Sequence, residues 1–215
     1  MGQRDLSALR KDYVRSELDM DAIGEDPFGL FHDWFSEAEK ADLIEPHAMS
    51  LTTVGSFSLA TRIVLLRSFD RDGFVFYTNY NSRKAMDLER DPRTALCFFW
   101  PELERQVRVE GKAEKTTASE SDAYFATRPR ESQIGAWSSD QSRPVESRVQ
   151  LDERYQRWQD RFKEADPIPR PLHWGGYRVR PVRIEFWQGR PNRMHDRIVF
   201  EHFGEAGWER LRVQP

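Results

Sequence analysis

The side chains best suited to chemistry lie in residues 185–197, which read E-F-W-Q-G-R-P-N-R-M-H-D-R. Arg193, His195 and Arg197 occupy every second position after an aromatic pair, so on a β-strand they would share one face. Two guanidiniums and an imidazole on one face form a site for an anion and a proton. The same pattern also occurs on solvent-exposed edge strands, and this segment alone leaves both interpretations open.

The tetrapeptide Asn81-Ser82-Arg83-Lys84 is the first of three clusters that suit a phosphate. It lies at a predicted helix start, where free backbone N–H groups and the cations Arg83 and Lys84 converge. In the alternative interpretation, Ser82 only caps the helix and the two cations are solvated.

The second cluster is R-P-R-E-S-Q at residues 128–133, where a proline breaks the end of a predicted helix. The cluster brings two guanidiniums, a hydroxyl and an amide together, from Arg128, Arg130, Ser132 and Gln133, with Tyr124 one turn upstream. Groups of this kind clamp an oxyanion through several hydrogen bonds.

The third cluster is the predicted strand R-I-V-L-L-R at residues 62–67. Its basic ends bracket an apolar centre, and strand alternation puts Arg62 and Arg67 on opposite faces. We therefore expect these two arginines to serve different groups.

The elements that must position these groups are mostly strands. Apolar periodicity predicts a helix over residues 26–41, with Asp26 as N-cap and Pro27 in the first turn, and a weaker one over residues 6–18. Further helices are predicted at 82–90, 118–127 and 146–162, and strands at 48–54, 61–69, 74–78, 94–100, 105–113, 177–187, 197–203 and 208–211. A hairpin turn is expected at 70–73. The pattern predicts a mainly β fold with inserted helices, arranged as a small barrel.

Composition excludes several classes of protein for this chain. Its 215 residues suffice for one substantial core and contain no obvious linker, so we predict a single domain over 26–215 after an amino-terminal arm over 1–25. The 38% hydrophobic content, with seven Trp and fourteen Phe, argues against disorder. A net charge of −3 disfavours a general role on nucleic acid or membrane surfaces, so an anion site must come from local basic clusters.

Several common kinds of site are not indicated. Cys97 is the single cysteine and is interpreted as a buried structural thiol, and the five histidines lack metal-ligand spacing, so no metal is predicted. Signatures of dinucleotide-binding, P-loop, zinc-protease and serine-hydrolase sites are missing. The amino terminus lacks the apolar core of a signal peptide and no long apolar run occurs, so a cytoplasmic location is expected.

Taken together, these residues closely resemble the pyridoxine (pyridoxamine) 5'-phosphate oxidase family, FMN enzymes of the split β-barrel fold. The similarity runs from about residue 9 to residue 211. The matching blocks are R-I-V-L-L-R at 62–67, F-Y-T-N at 76–79, S-R-K at 82–84, E-R-Q-V-R-V-E-G at 104–111, R-P-R-E-S-Q-I-G-A-W at 128–137, Q-S at 141–142, W-G-G-Y at 174–177, and the segment 185–197.

The resemblance implies two sets of contacts. The FMN set is Arg62, Ile63, Val64, Leu65, Leu66, Arg67, Tyr77, Thr78, Arg83, Lys84, Gln106, Gln141, Ser142, Trp187 and Arg197. The substrate set is Arg67, Tyr124, Arg128 and Ser132 at the phosphate, Arg193 and His195 over the reacting carbon as the catalytic pair, and Arg10 and Tyr13 from an arm that covers the site. The family is homodimeric with FMN between subunits, so one chain need not supply every contact.

The implied reaction is oxidation of pyridoxine or pyridoxamine 5'-phosphate to pyridoxal 5'-phosphate, with O₂ as acceptor and H₂O₂ released. Whether His195 acts as a general base is left open. The chain departs from the family at two places. Arg67 replaces the usual lysine, which puts substrate affinity or preference in doubt. The loop at 55–61 lacks the usual turn, which can alter the hairpin but leaves Arg62 in place.

Two alternatives remain. A related flavin oxidase of another aromatic substrate, such as those of phenazine biosynthesis, would tend to lose the phosphate block that holds Arg128 and Ser132. A non-catalytic carrier of FMN or pyridoxal phosphate would not need Arg193 and His195.

Overall fold

The computed structural model describes Asp5 and residues 12–215. Along the chain its elements are α1 (Pro27–Lys40), β1 (Ala48–Val54), β2 (Leu59–Leu65), β3 (Ser68–Asp70), β4 (Gly73–Asn79), α2 (Arg83–Arg90), β5 (Arg93–Trp100), β6 (Arg105–Lys115), α3 (Ala118–Thr127), α4 (Arg130–Ser138), α5 (Arg148–Arg161), β7 (Trp174–Gln188), β8 (Asp196–His202) and β9 (Trp208–Arg212). Strands dominate and the helices are inserted between them, which confirms the predicted fold class.

Hydrogen bonds connect the described strands in the order β2-β1-β5-β6-β7-β4-β3, with β8 paired to β7 and β9 paired to β8. The pairs β1–β2, β3–β4, β4–β7, β7–β8 and β8–β9 are antiparallel. The described residues divide into two compact units. The first consists of the described residues up to Pro46 with Cys97–Val109 and Val182–Pro215, and the second consists of His47–Leu96 and Glu110–Pro181. The single domain predicted over 26–215 stays a prediction.

The first unit is built around α1. Asp26 accepts a hydrogen bond from the Phe28 N–H at 3.0 Å and Pro27 occupies the first turn, so the predicted helix start is confirmed. The buried stripe of α1 meets aromatic strand residues: the Phe31 ring lies 5.1 Å from Phe98, and Trp34 lies edge-on to Phe186 at 5.2 Å. These contacts hold α1 against β5 and β7.

The second unit carries two hairpins, β1–β2 and β3–β4. The β3–β4 turn pairs Asp70 with Gly73, as the sequence predicted. Strand β4 then pairs with β7, which sets Tyr77 opposite Gly176 and Asn79 opposite Trp174. A separate apolar cluster joins α3, α4, α5 and the start of β7 through Phe125, Ile134, Phe162, Ile168 and Trp174.

The predicted strand over 61–69 is wrong in one respect, because the chain leaves β2 at Leu65 and enters β3 at Ser68. The Leu66 N–H donates to His47 O at 2.9 Å, whereas the Arg67 N–H donates to Val75 O at 2.8 Å. The backbone changes partners between these two residues. Strand alternation therefore cannot assign the faces of Arg62 and Arg67.

Helix α4 was missed by the sequence analysis, which placed residues 128–133 at a broken helix end. Pro129 does stop α3, but it sits at the N-cap of α4, a place where a missing N–H costs nothing. Ser132 therefore lies in the first turn of a helix.

The predicted helix over 6–18 is wrong for its described part, since residues 12–18 are not helical. The N–H groups of Val14 and Arg15 donate to the Glu104 carboxylate at 3.0 and 3.1 Å, and the Leu18 N–H donates to Asp196 at 3.1 Å. Side chains from other parts of the chain accept from these backbone donors, which a helix would leave for its own carbonyls beyond the first turn. In the part of the chain that the structure describes, no helix is both long and apolar enough to cross a membrane.

We expect Thr117→Ala to lower the free energy of unfolding by about 1 kcal/mol. Thr117 caps α3 by accepting from the Glu120 N–H at 3.1 Å, and Glu120 returns the bond by accepting from the Thr117 N–H at 2.9 Å. Urea denaturation at fixed protein concentration measures the change. Ser119→Ala, in the same exposed first turn, serves as control and should stay within about 0.5 kcal/mol of wild type; equal losses for both variants would contradict the capping role.

Candidate active site

A cavity of about 430 Å³ opens in the second unit. Its size falls in the range of about 300–1,000 Å³ that is usual for small-molecule sites. Predicted site residues that line it are Ile63, Val64, Leu65, Arg67, Tyr77, Thr78, Lys84, Tyr124, Arg128, Ser132 and Gln141. The cavity therefore brings together residues from all three phosphate-suited clusters.

One wall of the cavity is a set of nearly parallel aromatic rings. Tyr77 of β4 stacks on Tyr124 of α3, with ring centroids 3.9 Å apart and an interplanar angle of 16°. Trp174 of β7 lies parallel to both rings, at 5.4 Å from Tyr77 and 6.1 Å from Tyr124. Gly176 is needed here because a Cβ at that position would approach Tyr77 Cε1 to 2.9 Å and Thr116 Oγ1 to 2.6 Å.

Arg128 follows the last residue of α3 and lies over this wall. Its guanidinium carbon is 4.5 Å from the Trp174 ring centroid and 5.6 Å from that of Phe125. Burial lowers the pKa of Arg128, and the positive charge of Arg67 acts in the same direction. Its Nη1 is buried and has no hydrogen-bond partner. A buried cationic donor of this kind is energetically costly unless an anion completes the site.

Lys84 carries the second cationic group of the cavity. Its Nζ donates to Gln141 Oε1 at 2.9 Å, Thr78 Oγ1 at 3.1 Å and Ser82 Oγ at 3.3 Å. Burial, with a smaller effect of the nearby Arg62, lowers the pKa of Lys84 to about 8. Ser82 is the N-cap residue of α2, but its hydroxyl makes no capping hydrogen bond, so the interpretation of Ser82 as a simple cap is wrong.

Arg62 is bound within the protein and is not among the residues that line the cavity. It donates to Leu51 O at 3.2 Å and to Thr53 Oγ1 at 2.8 Å, and it lies 3.9 Å from the buried carboxylate of Asp87. Thr53 in turn donates to Asp87 at 2.8 Å. Arg62 thus lies in different surroundings from Arg67, which lines the cavity, and the different roles of the two arginines stay a prediction.

Three further predicted flavin contacts of the second unit are not in the cavity lining. Leu66 is buried, whereas Arg83, at the first position of α2, is exposed. Ser142 is also exposed and has a left-handed backbone with a φ of 72°.

The prediction that both guanidiniums of residues 128–133 clamp an oxyanion is wrong for Arg130. Its side chain donates to the carbonyls of Ala165, at 2.9 Å, and of Phe162, which ends α5. Gln133 is also structural, because it is buried and donates to Phe125 O at 2.9 Å. Arg130 thus binds carbonyls that follow α5, and Gln133 binds a carbonyl near the end of α3, which leaves Arg128 and Ser132 for the cavity.

The first unit contains a second cluster, formed by Tyr13, Trp187 and His195. The His195 ring centroid lies 4.7 Å from Trp187 and 5.7 Å from Tyr13, and Tyr13 meets Trp187 edge-on at 5.6 Å. The Arg190 N–H donates to His195 Nδ1 at 3.1 Å. Burial lowers the pKa of His195, and the positive charge of Arg193 adds to this effect.

The expected strand face shared by Arg193, His195 and Arg197 is wrong. Arg193 ends a short 3₁₀ turn, Pro191–Arg193, with a φ of 62°, and β8 begins only at Asp196. Arg193 is exposed and His195 is half-buried, whereas Arg197 lies within the sheet opposite Trp187. The turn gives the three side chains different directions.

Arg197 is anchored by Glu185, whose side chain is only 1% exposed. The Arg197 Nε and Nη2 donate to the two carboxylate oxygens of Glu185 at 2.9 and 3.1 Å, and Nη1 donates to Gln214 O at 2.8 Å. Arg108 and Arg183 also bind Glu185. Burial would raise the pKa of Glu185, but the hydrogen bonds from Arg197 and Arg108 outweigh it and hold this pKa below its usual value.

The amino-terminal contacts are only partly described. Tyr13 lies against Gly189, where an added Cβ would approach the Tyr13 ring to 2.7 Å. Arg10 lies outside the described residues. Gln106 is half-buried on β6 of the first unit.

Sequence reasoning missed several residues of the cavity wall, namely Asn79, Gly135, Ala136, Ser139 and Trp174. Trp174 had a signal in the W-G-G-Y block, but the block was not connected with the site. Glu185 belongs to the segment 185–197, yet nothing in its spacing distinguishes a buried partner of Arg197 from a solvated strand residue.

Comparisons with known proteins give consistent results. A family model described as pyridoxamine 5'-phosphate oxidase matches residues 35–162, and one described as the pyridoxine 5'-phosphate oxidase C-terminal dimerisation region matches residues 174–215. A "Pyridoxine/pyridoxamine 5'-phosphate oxidase" of Rubrobacter xylanophilus is 56% identical over 214 residues, which cover 99% of this chain and 98% of that protein. A protein of the same description from Salinibacter ruber is 50% identical over 212 residues, or 98% and 99% of the two chains.

Two solved structures share the fold. PhzG from Burkholderia lata, in complex with tetrahydrophenazine-1-carboxylic acid, has a TM-score of 0.85 and 28% identity over 91% of this chain and 95% of its own. A pyridoxamine 5'-phosphate oxidase-related, FMN binding protein from Nostoc punctiforme has a TM-score of 0.69 and 16% identity over 90% and 100% of the chains, which shows the fold alone.

We expect Glu185→Gln to lower the free energy of unfolding at pH 7 by about 3 kcal/mol, because three arginines lose a buried counter-ion. The folded pKa of Glu185 lies below the usual 4.5, so its stabilisation is complete above pH 4.5 and is lost as the pH falls through the folded pKa. Urea denaturation at pH 7 and pH 4 should therefore give a smaller difference at pH 4.

Asp152→Asn is the matched control, since Asp152 forms an exposed ion pair with Arg148 at 2.9 Å. It should cost less than about 0.5 kcal/mol at either pH. A Glu185→Gln variant as stable as this control would contradict the anchoring role.

Proposed function

Since the chain belongs to the pyridoxamine 5'-phosphate oxidase family, with its split β-barrel fold, we propose that it is an FMN-dependent oxidase. It converts pyridoxine 5'-phosphate or pyridoxamine 5'-phosphate to pyridoxal 5'-phosphate, with O₂ as acceptor and H₂O₂ as product. The observation that carries the proposal is the cavity in which Arg128 keeps a buried donor without a partner beside Lys84 and an aromatic wall. Cations next to flat rings suit ligands that combine a phosphate with an aromatic ring.

The residues around Lys84 fit the phosphate of FMN. Lys84 and the free N–H groups at the start of α2 supply positive charge, and Thr78 and Gln141 hold the ammonium in place. Ile63, Val64 and Leu65 offer an apolar surface beside them. When bound, FMN supplies the hydride acceptor and the means of reducing O₂, and the protein supplies binding and orientation.

The substrate phosphate is assigned to Arg67, Tyr124, Arg128 and Ser132. All four line the same cavity, and Ser132 lies in the first turn of α4. Its N–H donates to Pro129 O at 2.9 Å, so its hydroxyl is the group assigned to the phosphate. Lysine, the family's usual residue at this position, and arginine can each hold a phosphate, but the planar guanidinium of Arg67 can do so with two parallel hydrogen bonds.

We propose that the chain forms a homodimer with FMN bound between subunits. The region that matches the dimerisation model, residues 174–215, contains Trp187, Arg193, His195 and Arg197. In the dimer these residues of one subunit, with Gln106, complete the cavity of its partner. Tyr13 and Arg10 are assigned to the same part of the site.

His195 is suited to hold the substituent on the reacting carbon. Its lowered pKa keeps the imidazole neutral at pH 7, and its Nδ1 already accepts from Arg190. The proton of the neutral ring is therefore on Nε2, which can donate a hydrogen bond to the substrate's oxygen or nitrogen. Arg193 adds a positive charge next to His195 and orients the same oxygen or nitrogen substituent of the substrate.

The phosphate residues favour this function over the alternative oxidation of a phenazine precursor. The chain is 50–56% identical to proteins described as pyridoxine/pyridoxamine 5'-phosphate oxidases, but 28% identical to PhzG. Arg128 and Ser132 serve a phosphorylated substrate. A non-catalytic carrier would have no need of His195 and Arg193.

We expect the purified protein to bind FMN and to consume O₂ and produce H₂O₂ with pyridoxine 5'-phosphate. Oxygen uptake with the two phosphorylated vitamers and with unphosphorylated pyridoxine measures this, and phosphate contacts should make the phosphorylated forms better by at least about tenfold in kcat/KM. A protein that takes up no FMN, or that shows no preference for the phosphate, would contradict the proposal.

Arg193→Ala and Arg197→Ala separate the two predicted roles within this assay. Arg193→Ala should keep the flavin and lower kcat/KM, whereas Arg197→Ala should lower flavin content. Absorbance of flavin released on denaturation gives the content per chain, and equal losses in both variants would argue against the division.

We expect the affinity for FMN to fall about tenfold between pH 7 and pH 9. The pKa of Lys84 is about 8, so the ammonium that attracts the phosphate is charged below pH 8 and loses its proton above it. Quenching of flavin fluorescence measures Kd at each pH. Lys84→Arg stays charged over this range, so its Kd should change much less; the same decline in both proteins would show that another group is responsible.

A further inference from the structure

We infer that Trp174 is a positioning residue, which holds the Arg128 guanidinium over its ring without using the guanidinium's N–H donors, so that these stay available to the substrate phosphate. The inference rests on the proposed function, since it takes Arg128 as a phosphate ligand. It adds a residue that belongs to neither predicted contact set.

The geometry around Arg128 carries this inference. The guanidinium carbon lies 4.5 Å above the Trp174 ring, within the distance at which a cation and an aromatic face attract each other. This attraction is between the cation and the aromatic ring, and it needs no conventional hydrogen-bond acceptor for the guanidinium N–H groups. Nη1 is buried and has no hydrogen-bond partner. Burial also lowers the Arg128 pKa, because it disfavours the charged guanidinium, and the contact with Trp174 partly offsets this cost.

A carboxylate in the place of Trp174 would have the opposite effect. Glu185 shows this case in the first unit, where its oxygens take up Nε and Nη2 of Arg197. A carboxylate would stabilise the charge of Arg128, but it would occupy donors and repel a phosphate. An aromatic face stabilises the cation and leaves its donors available.

Trp174 itself is held firmly. It is the first residue of β7 and pairs with Asn79 of β4. Its N–H donates to Pro171 O at 3.0 Å, and its carbonyl accepts from Arg170 Nη1 at 2.5 Å, while Arg170 binds Asp122 at 2.6 Å. With the backbone fixed on both sides, the ring provides a rigid support.

The neighbouring phosphate ligand Tyr124 has a closer support of its own. Its ring stacks on Tyr77 with centroids 3.9 Å apart, whereas Trp174 lies parallel to it at 6.1 Å. Trp174 is also parallel to Tyr77, a predicted flavin contact, at 5.4 Å, so flavin content is measured beside KM. We expect a change of the Trp174 ring to act on phosphate recognition mainly through Arg128.

The test is steady-state oxygen uptake by the FMN-loaded protein with pyridoxine 5'-phosphate. Trp174→Leu should raise KM about 5- to 30-fold, the range that loss of a cation–π contact gives, with kcat within about threefold and flavin content unchanged. Trp174→Phe keeps a smaller aromatic face and should raise KM about two- to fourfold.

A double-mutant cycle distinguishes positioning from general packing. In an Arg128→Ala background, Trp174→Leu and Trp174→Phe should change KM less than twofold, because the residue through which Trp174 acts is gone. Trp158→Leu, at a neighbouring tryptophan that does not line the cavity, is the matched control and should leave KM within about twofold.

The outcomes are distinct. An unchanged KM in Trp174→Leu, or an equal rise in the presence and absence of Arg128, would overturn the inference. If the leucine variant does not fold, the phenylalanine variant measured with and without Arg128 decides in the same way. A wild-type protein that lacks oxidase activity would instead refute the proposed function.

Discussion

The antiparallel pairing of β4 with β7 is the constraint on which the cavity depends. Its register sets Tyr77 opposite Gly176 and Asn79 opposite Trp174, so aromatic rings from two distant parts of the sequence form one wall. A shift by one residue would turn these side chains to the other face of the sheet. The glycine leaves the space that the Tyr77 ring occupies.

Arginines are held in this protein in two different ways. Arg197, Arg108 and Arg183 share the buried carboxylate of Glu185, which satisfies their charge within the fold. Arg128 lies on an aromatic face and keeps an unpartnered Nη1. In the first arrangement a carboxylate takes up the arginine's N–H donors and fixes the side chain in place. In the second arrangement the N–H donor stays without a partner and can bind an anion.

Sequence reasoning succeeded where local chemistry is strong. The cap at Asp26, the hairpin at 70–73 and the alternating strand at 105–113 all appear as expected. It failed at Pro129, because a proline that stops one helix is also compatible with the start of the next. The roles assigned to individual site residues stay predictions, although eleven of those residues, from Ile63 to Gln141, line a common cavity.

The sequence by itself determined the class of fold, most of the helices and strands, and the family, because periodicity, caps and long motifs are properties of local sequence. Only the tertiary structure decided which cations are available. Arg128 and Arg130 are two residues apart and chemically identical, yet one faces the cavity and the other donates to the carbonyls at the end of α5. Spacing cannot distinguish them, because the partner of a guanidinium is set by chain segments that are distant in sequence.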